Sequence, residues 1–391
     1  MENVYVVSAK RTPIGSFLGS LSSVPATKLG SSAIQAAVSE SGLKPEQIGE
    51  VIMGHVLTAG TGQAPARQAS LGAGLPVGTP CMTINKVCGS GLKAVMLAHD
   101  SIKLGHVNAA IAGGQENMSL SPHLMMNSRA GYKMGHVSAT DSMLVDGLWD
   151  PYNDWHMGNC AELCVKEYSF TREEQDEFAV KSYEKSLAAQ KSGAFKNEIS
   201  SVEVPSRKAT ITVSEDEEPS KVKFDKIPSL RPAFDKQGSV TAANASTIND
   251  GACALTLASE STVKEFGLKP LAKIIGHATH AQDPKWFTTA PVGAMKKVLE
   301  TNQMKVDDID LWEVNEAFSV VTMAAQKELK ISDDRMNVHG GAVSLGHPIG
   351  ASGARIFTTL IHSLHTQGKS LGGASICIGG GEAVSVLVEA L

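Results

Sequence analysis

The chain has 391 residues, of which 42% are apolar and 19% charged, a composition that fits a folded globular protein and, at this length, two or three domains. Its net charge of -5 at pH 7 gives no reason to expect nucleic acid or an anionic membrane as partner, and an anionic ligand would need a local basic patch. No apolar stretch approaches membrane-spanning length, and six scattered cysteines without a Cys-x-x-Cys pair exclude a disulfide scaffold or zinc ribbon and suit reduced thiols in a cytoplasmic setting.

In chain order, Met1-Glu2-Asn3-Val4-Tyr5-Val6-Val7 reads as a strand, lacking the basic start and long apolar core of a signal peptide. Glu50-Val51-Ile52-Met53-Gly54 is a second β-like run. Met82-Thr83-Ile84 ends a third, and Asn85-Lys86-Val87-Cys88-Gly89-Ser90-Gly91 leads from it into helix-like residues 92–98. A cysteine at a helix start feels the positive end of the dipole and unpaired backbone N–H groups, and both favour the nucleophilic thiolate. Gly89 and Gly91 clear side chains from the approach to it. Ala112-Gly113-Gly114-Gln115-Glu116 then closes an apolar strand.

Residues 119–249 differ in character, with Met125, Met126, Met134, Met143 and Met157 and the nearby Trp149 and Trp155. Thr171-Arg172-Glu173-Glu174 is a capping box opening a polar helix that runs to about Gly193. The acidic run Glu215-Asp216-Glu217-Glu218 reads as a solvated loop. This stretch is taken as an insertion into the first half, a lid or substrate-binding subdomain ending near Asn244-Ala245-Ser246 and Asn249-Asp250-Gly251. Further on, Leu311-Trp312-Glu313-Val314 runs into Asn315-Glu316-Ala317-Phe318, His347 lies among the glycines of 340–350, and Cys377 precedes Gly379-Gly380-Gly381. Singly, each has a plain structural reading: a turn histidine, a buried strand cysteine, a helix-capping Ser246. A metal site fails on spacing, because His339 and His347 flank a glycine-rich turn without a carboxylate ligand pattern.

The two ends of the chain resemble each other. Lys44-Pro45-Glu46-Gln47-Ile48 and Lys305-Val306-Asp307-Asp308-Ile309 each precede a strand, Cys88-Gly89-Ser90-Gly91 and Gly350-Ala351-Ser352-Gly353 each open a helix, and Gly113 and Gly379 each close a strand. Lys44 to Ser90 is 46 positions and Lys305 to Ser352 is 47; Ser90 to Gly113 is 23 and Ser352 to Gly379 is 27. Landmarks in one order at similar spacing indicate a duplication. The chain therefore reads as α/β, with residues 1–118 and 250–270 as the first half, 119–249 as the insertion and 271–391 as the second half. Each half is expected to hold a mostly parallel sheet covered by helices. Facing halves bring strand ends and helix N-termini into one cleft, so Cys88 and the residues around His347 should meet.

Val87-Cys88-Gly89-Ser90-Gly91, Asn315-Glu316-Ala317-Phe318, Gly346-His347-Pro348 and Cys377-Ile378-Gly379-Gly380-Gly381, with the N-terminal Ser8-Ala9-Lys10-Arg11-Thr12-Pro13-Ile14-Gly15, resemble the thiolase family over essentially the whole chain. The resemblance implies the thiolase fold: two duplicated βα halves in a layered αβαβα core, with an inserted loop domain, in a homo-oligomer that is usually a tetramer. It implies condensation of two acetyl-CoA to acetoacetyl-CoA and CoA through an acetyl-cysteine, reversible by thiolysis. Coenzyme A is then a substrate carrier, and no cofactor or metal is expected. The resemblance makes Cys88 the acyl-accepting nucleophile, His347 its activator and Cys377 the general acid/base. Asn315 would hold a water that, with His347, receives the thioester oxygen, and the N–H groups of Cys88 and Gly379 would form a second oxyanion hole. Ser246 would contact the pantetheine arm with Leu230 and Phe234 beside it, Met157 of His156-Met157-Gly158 would crowd the acyl pocket, and His156, Ala317 and Phe318 would also bind substrate or CoA. Residues 218–226 depart from the arginine-containing pattern expected near the nucleotide, leaving Lys221, Lys223 and Lys226 to supply charge. A condensing enzyme acting on an acyl carrier protein lacks a second catalytic cysteine, and a silent CoA- or lipid-binding relative would have lost one of Cys88, His347 or Cys377.

Overall fold

The computed structural model describes residues 2–207 and 209–391; Met1, at the head of the expected first strand, lies outside the described residues. Among these, nine principal strands form one sheet: β1 (Val4–Arg11), β2 (Glu50–Gly54), β3 (Cys81–Ile84), β4 (Ala109–Asn117), β5 (Asn249–Ser259), β6 (Ala272–Ala281), β7 (Leu311–Val314), β8 (Leu371–Ile378) and β9 (Glu382–Ala390). The main helices are α1 (Ala26–Ser41), α2 (Pro65–Gly72), α3 (Ser90–Lys103), α4 (Met157–Tyr168), α5 (Arg172–Ser192), α6 (Ala290–Thr301), α7 (Ser319–Leu329) and α8 (Ile349–Gln367).

The strand order is β7-β8-β9-β6-β1-β5-β4-β2-β3. The wiring repeats. In each half the first strand (β1 or β6) pairs antiparallel with the last (β5 or β9), which pairs antiparallel with the next-to-last (β4 or β8), which lies parallel to the second (β2 or β7). In the second half a single parallel bridge, Trp312 to Met336, stands where β3 stands in the first. The halves join through the short antiparallel pairing of Tyr5 with Lys273 and Val6 with Ala272.

The sheet is mixed, which corrects the expectation of mostly parallel halves: only β2/β3, β2/β4 and β7/β8 run parallel. β8 and β9 show why. Just Gly379-Gly380-Gly381 separates them, too few residues for a crossover, so the chain must turn back as a hairpin. Gly380 and Gly381 take φ of 89° and 82°, a conformation that favours glycine.

Helices α3 and α8 form the middle layer. α3 lies on β2 and β4 and also touches β9, while α8 touches β4 and β5 on one side and β7 and β8 on the other. Fifteen of the nineteen residues of α8 are buried, as a helix covered on both sides requires. α1 and α2 cover the outer face of the first half, and α6 and α7 that of the second. The two central helices touch backbone to backbone at their first turns. A Cβ on Gly91 would stand 2.7 Å from Ala354 N, and one on Gly353 would stand 2.5 Å from Leu92 N. This contact fixes where the residues leading into both helices must converge.

Between β4 and β5, α5 opens on the expected capping box: Glu174 N donates to Thr171 Oγ1, and Thr171 N donates to Glu174 Oε2. It ends at Gly193 in the left-handed conformation. Although this stretch interrupts the first half, α4 and α5 both pack on α7 of the second. The acidic run is not the solvated loop expected from the sequence. Asp216 is buried and holds Arg11 through a two-pronged pair at 2.7 and 2.8 Å, with Glu198 on the same guanidinium at 2.6 Å. Arg11 lies on β1 inside the protein, where a guanidinium needs counter-charges. Among the described residues, no helix is long and apolar enough to cross a membrane.

Candidate active site

Cys88 sits on a strained elbow between β3 and α3. Val87, a β-branched residue, has φ of 46°, a conformation that costs on the order of 1–3 kcal/mol and must be held by its surroundings. Ser90 does much of the holding: its hydroxyl accepts from Lys86 N at 2.8 Å and donates to Val87 O at 2.7 Å. The elbow aims the half-buried Cys88 sulfur at the backbone N–H of Gly379, and its own N–H faces it too. Burial nevertheless pushes the thiol up to about 11, against those two donors and with the Glu116 charge adding to it. The helix-start argument for a resting thiolate is therefore overturned: desolvation outweighs the dipole, and Cys88 rests as a thiol.

His347 occupies the corresponding position in the second half, two residues before α8 as Cys88 is two before α3. Its backbone N–H donates to Asn249 Oδ1 at 2.9 Å. Its Nδ1 lies 2.6 Å from Ser352 Oγ, and that hydroxyl donates to Pro348 O at 2.9 Å. Because the serine proton is committed to Pro348, Nδ1 must carry the imidazole proton and Nε2 the lone pair. Nε2 is buried without a partner among the described residues. Burial, reinforced by the positive charge of Arg355, pushes His347 down to about 3, so the ring rests neutral with a bare acceptor nitrogen.

Cys377, next to last in β8, is fully buried, and burial followed by its neighbour Cys88 pushes its thiol well above the usual range. Asn315, just past β7, is fully buried, and neither side-chain atom has a protein partner among the described residues. A buried amide in that state is suited to hold a water or a substrate oxygen.

Cys88, His347 and Gly379 line a cavity of about 220 Å³. Its walls include Ser246, Phe234, His156, Met157, Ala317 and Phe318, as well as Met118, Leu148, Ile248, Phe287 and Ile349, which sequence reasoning did not single out. Ser246 reaches the wall because residues 244–246 pair with the segment after β7: Ser246 N donates to Ala317 O, and Ser319 N to Asn244 O. The His156 ring stacks on Phe234 with centroids 4.7 Å apart. Cys377 and Asn315 lie outside the wall. Leu230 is not on it either; half-buried, it gives its carbonyl to Arg172 at 3.1 Å.

Comparison with known proteins bears on the whole chain. Residues 4–261 match the thiolase N-terminal domain and residues 268–390 the thiolase C-terminal domain. The chain belongs to the thiolase family. Among relatives similar to this thiolase are an acetyl-CoA acetyltransferase of Cupriavidus necator, 51% identical with both chains covered completely, and a mitochondrial acetyl-CoA acetyltransferase of Rattus norvegicus, 52% identical over 100% of this chain and 92% of the relative. Among solved structures, a thiolase of Ascaris suum in complex with coenzyme A matches at 45% identity and a TM-score of 0.95, with both chains covered in full. An acetyl-CoA acetyltransferase of Bacillus anthracis matches at 41% and 0.98, covering 100% of this chain and 99% of that one.

Several residues of this thiolase gave no distinct signal in the sequence. Glu116 accepts three backbone N–H groups, from Val56, Leu57 and Gly350, and so ties the loop after β2 to the first turn of α8. Burial raises it to about 7, and His55 stands 3.3 Å away. Glu316 accepts from Ser182, Asn337 and the backbone of Val343, which anchors the segment leading to His347. Ser352 and Asn249 set the tautomer and the position of His347. Of the three lysines expected for phosphate, Lys221, though exposed, is engaged by Ser16 Oγ and Glu217 Oε1, each at 2.7 Å, because Glu217 needs a cation where it caps the 16–20 turn. Lys226 lies 3.6 Å from Asp225, and Lys223 is exposed.

Proposed function

We propose that this thiolase is an acetyl-CoA C-acetyltransferase, condensing two acetyl-CoA to acetoacetyl-CoA and CoA through an acetyl-Cys88 intermediate and running thiolysis in reverse. The observation that carries the reading is the juxtaposition of Cys88 with a neutral, acceptor-ready His347 in a small apolar cavity, with Cys377 behind it.

Cys88 loses its proton to His347 Nε2 as the sulfur attacks the acetyl carbon of the first acetyl-CoA. The N–H groups of Cys88 and Gly379 receive the tetrahedral oxyanion, each worth about 3 kcal/mol of barrier. Cys377 protonates the departing CoA sulfur, leaving a Cys377 thiolate beside a His347 imidazolium. Neither charge is stable alone at such depth; opposite charges at close range stabilise each other. Cys377 then takes a proton from the methyl carbon of the second acetyl-CoA. The enolate oxygen lies against His347 Nε2–H and a water held by Asn315. The carbanion attacks acetyl-Cys88, and His347 returns its proton to the released sulfur. Both thiols and the neutral imidazole are restored, so the cycle balances without a cofactor.

Met157, Phe234, Phe287 and Phe318 bound the acyl end and support a short-chain preference, and Ser246 faces the pantetheine arm. Leu230, outside the cavity, and Lys223 would meet the outer part of CoA. A homotetramer is supported by the exposed apolar side chains of the insertion, among them Met125, Met126, Met134 and Tyr152. Six free cysteines, two of them needed as thiols, support a reducing compartment such as the cytoplasm. Intact-protein mass spectrometry after incubation with acetyl-CoA tests the assignment: wild type and Cys377→Ala should gain one acetyl group and Cys88→Ala none. Acetyl on Cys377 rather than Cys88 would sink it.

A further inference from the structure

At the far end of α3 from the cavity, three potential ligands converge. His99 and Asp100 are consecutive on α3, and His277 lies on β6 of the other half. Asp100 Oδ1 stands 3.0 Å from His99 Nδ1 and 2.8 Å from His277 Nε2, and the three donor atoms lie within 4.8 Å of one another. The imidazoles meet edge to face, with centroids 5.1 Å apart and planes at 89°, and each turns a nitrogen to Asp100 Oδ1. Two imidazoles and a carboxylate suit zinc and its first-row neighbours, whose bonds of about 2.0–2.2 Å set ligand atoms roughly 3.3 Å apart in a tetrahedron. The two separations to Asp100 Oδ1 fall a few tenths of an ångström short of that spacing, so small side-chain shifts would admit an ion. His99 is 7% exposed, and its Nε2 has no partner among the described residues, so Asp100 and the point of convergence alone orient the ring. Asp100 and His277 are partly open to solvent, which gives an ion a path in and leaves a water the fourth position.

We propose that His99, Asp100 and His277 form a structural site for a divalent first-row transition ion, with zinc as the reference, which staples α3 of the first half to β6 of the second. The carboxylate supplies the negative charge, and the two imidazoles coordinate as neutral ligands. The site stands about eleven residues along α3 from Cys88, roughly 16 Å at 1.5 Å per residue, so the ion holds the scaffold and takes no part in acyl transfer.

The test uses the full-length enzyme, stripped with a chelator and dialysed against zinc chloride, with bound metal measured by mass spectrometry and stability by thermal melting. The difference between wild type and His277→Gln discounts zinc held by other thiols and histidines. Wild type should bind one ion per chain more than His277→Gln, and only wild type should melt higher with zinc. Cobalt(II) should give wild type the visible absorption of a tetrahedral site. Asp100→Asn should weaken binding by at least about tenfold, and both variants should keep metal-free thiolysis at the wild-type rate. Equal zinc content in wild type and His277→Gln, or a melting temperature that zinc leaves unmoved, would overturn the site.

Discussion

Replacing Ser352 by alanine removes the oxygen that fixes the protonation pattern of His347. In the native protein Nδ1–H is bonded to Ser352 Oγ at 2.6 Å, which leaves the lone pair on Nε2, facing the cavity. Without the hydroxyl, a buried N–H is left unpaired, at a cost of about 1–3 kcal/mol. The ring avoids that cost by moving its proton to Nε2, where water or substrate in the cavity can accept it, and there the nitrogen can no longer accept from Cys88. Recovering the productive tautomer then adds the same 1–3 kcal/mol to the acetylation barrier, a slowing of about fivefold to about 150-fold. The assay is the rate of acetyl-Cys88 formation from acetyl-CoA by rapid quench, beside kcat and KM for thiolysis. The loss should fall on kcat, with KM little changed and a melting temperature close to wild type. An acetylation rate within about twofold of wild type would refute both the tautomer argument and the assignment of His347 as base.

Gly379→Ala should fold normally, because a Cβ there would meet only Met157 Sδ at 3.5 Å and Val87 Cγ1 at 3.6 Å; the space it fills is the ligand's, and kcat/KM should fall by about 10²–10³ while melting is unmoved. Arg11→Ala strands Asp216 and Glu198 as unpaired buried charges and should cost about 3–5 kcal/mol in denaturant unfolding; a loss under about 1 kcal/mol would contradict the buried network. With its thiol pushed up to about 11, Cys88 in the free enzyme should react with iodoacetamide ever faster as pH rises from 7 towards 10, whereas a plateau near neutrality would show a resting thiolate. Glu116 is raised from 4.5 to about 7, so the folded state binds the proton more tightly: its contribution to stability is full below about 4.5 and is lost as pH rises through about 7. Glu116→Gln should flatten the melting-temperature profile across that window, and an unchanged slope would disprove the shift.

Much of this was readable from residues alone, for reasons that can be located. Cys88 and His347 could be paired from sequence because a duplicated strand-turn-helix puts both at the same structural address. The α5 capping box was readable because its partners are three residues apart. Contacts that cross the chain were not. Asp216 looks like one more surface acid until Arg11, some two hundred positions earlier, is beside it. Ser352 and Asn249 read as a helix serine and a turn asparagine, and only the crossing of the halves aims them at His347. The strand directions differ from expectation for a related reason: Gly379-Gly380-Gly381 reads as the close of a strand that offers the Gly379 N–H to an oxyanion, while its brevity also dictates a hairpin. The resting state of Cys88 depended on how deeply the elbow sinks, which no local motif encodes.

The backbone contact between the first turns of α3 and α8 has a further consequence. If each half were a separate polypeptide pairing with a copy of itself, the twofold axis would put the same side chain at both crossing helices: two thiols, or two imidazoles. Neither pair provides both a nucleophile and a proton acceptor. Joining the halves in one chain lifts that restriction, so cysteine stands at one address and histidine at its mirror. Division of labour at the centre is what the second copy makes possible.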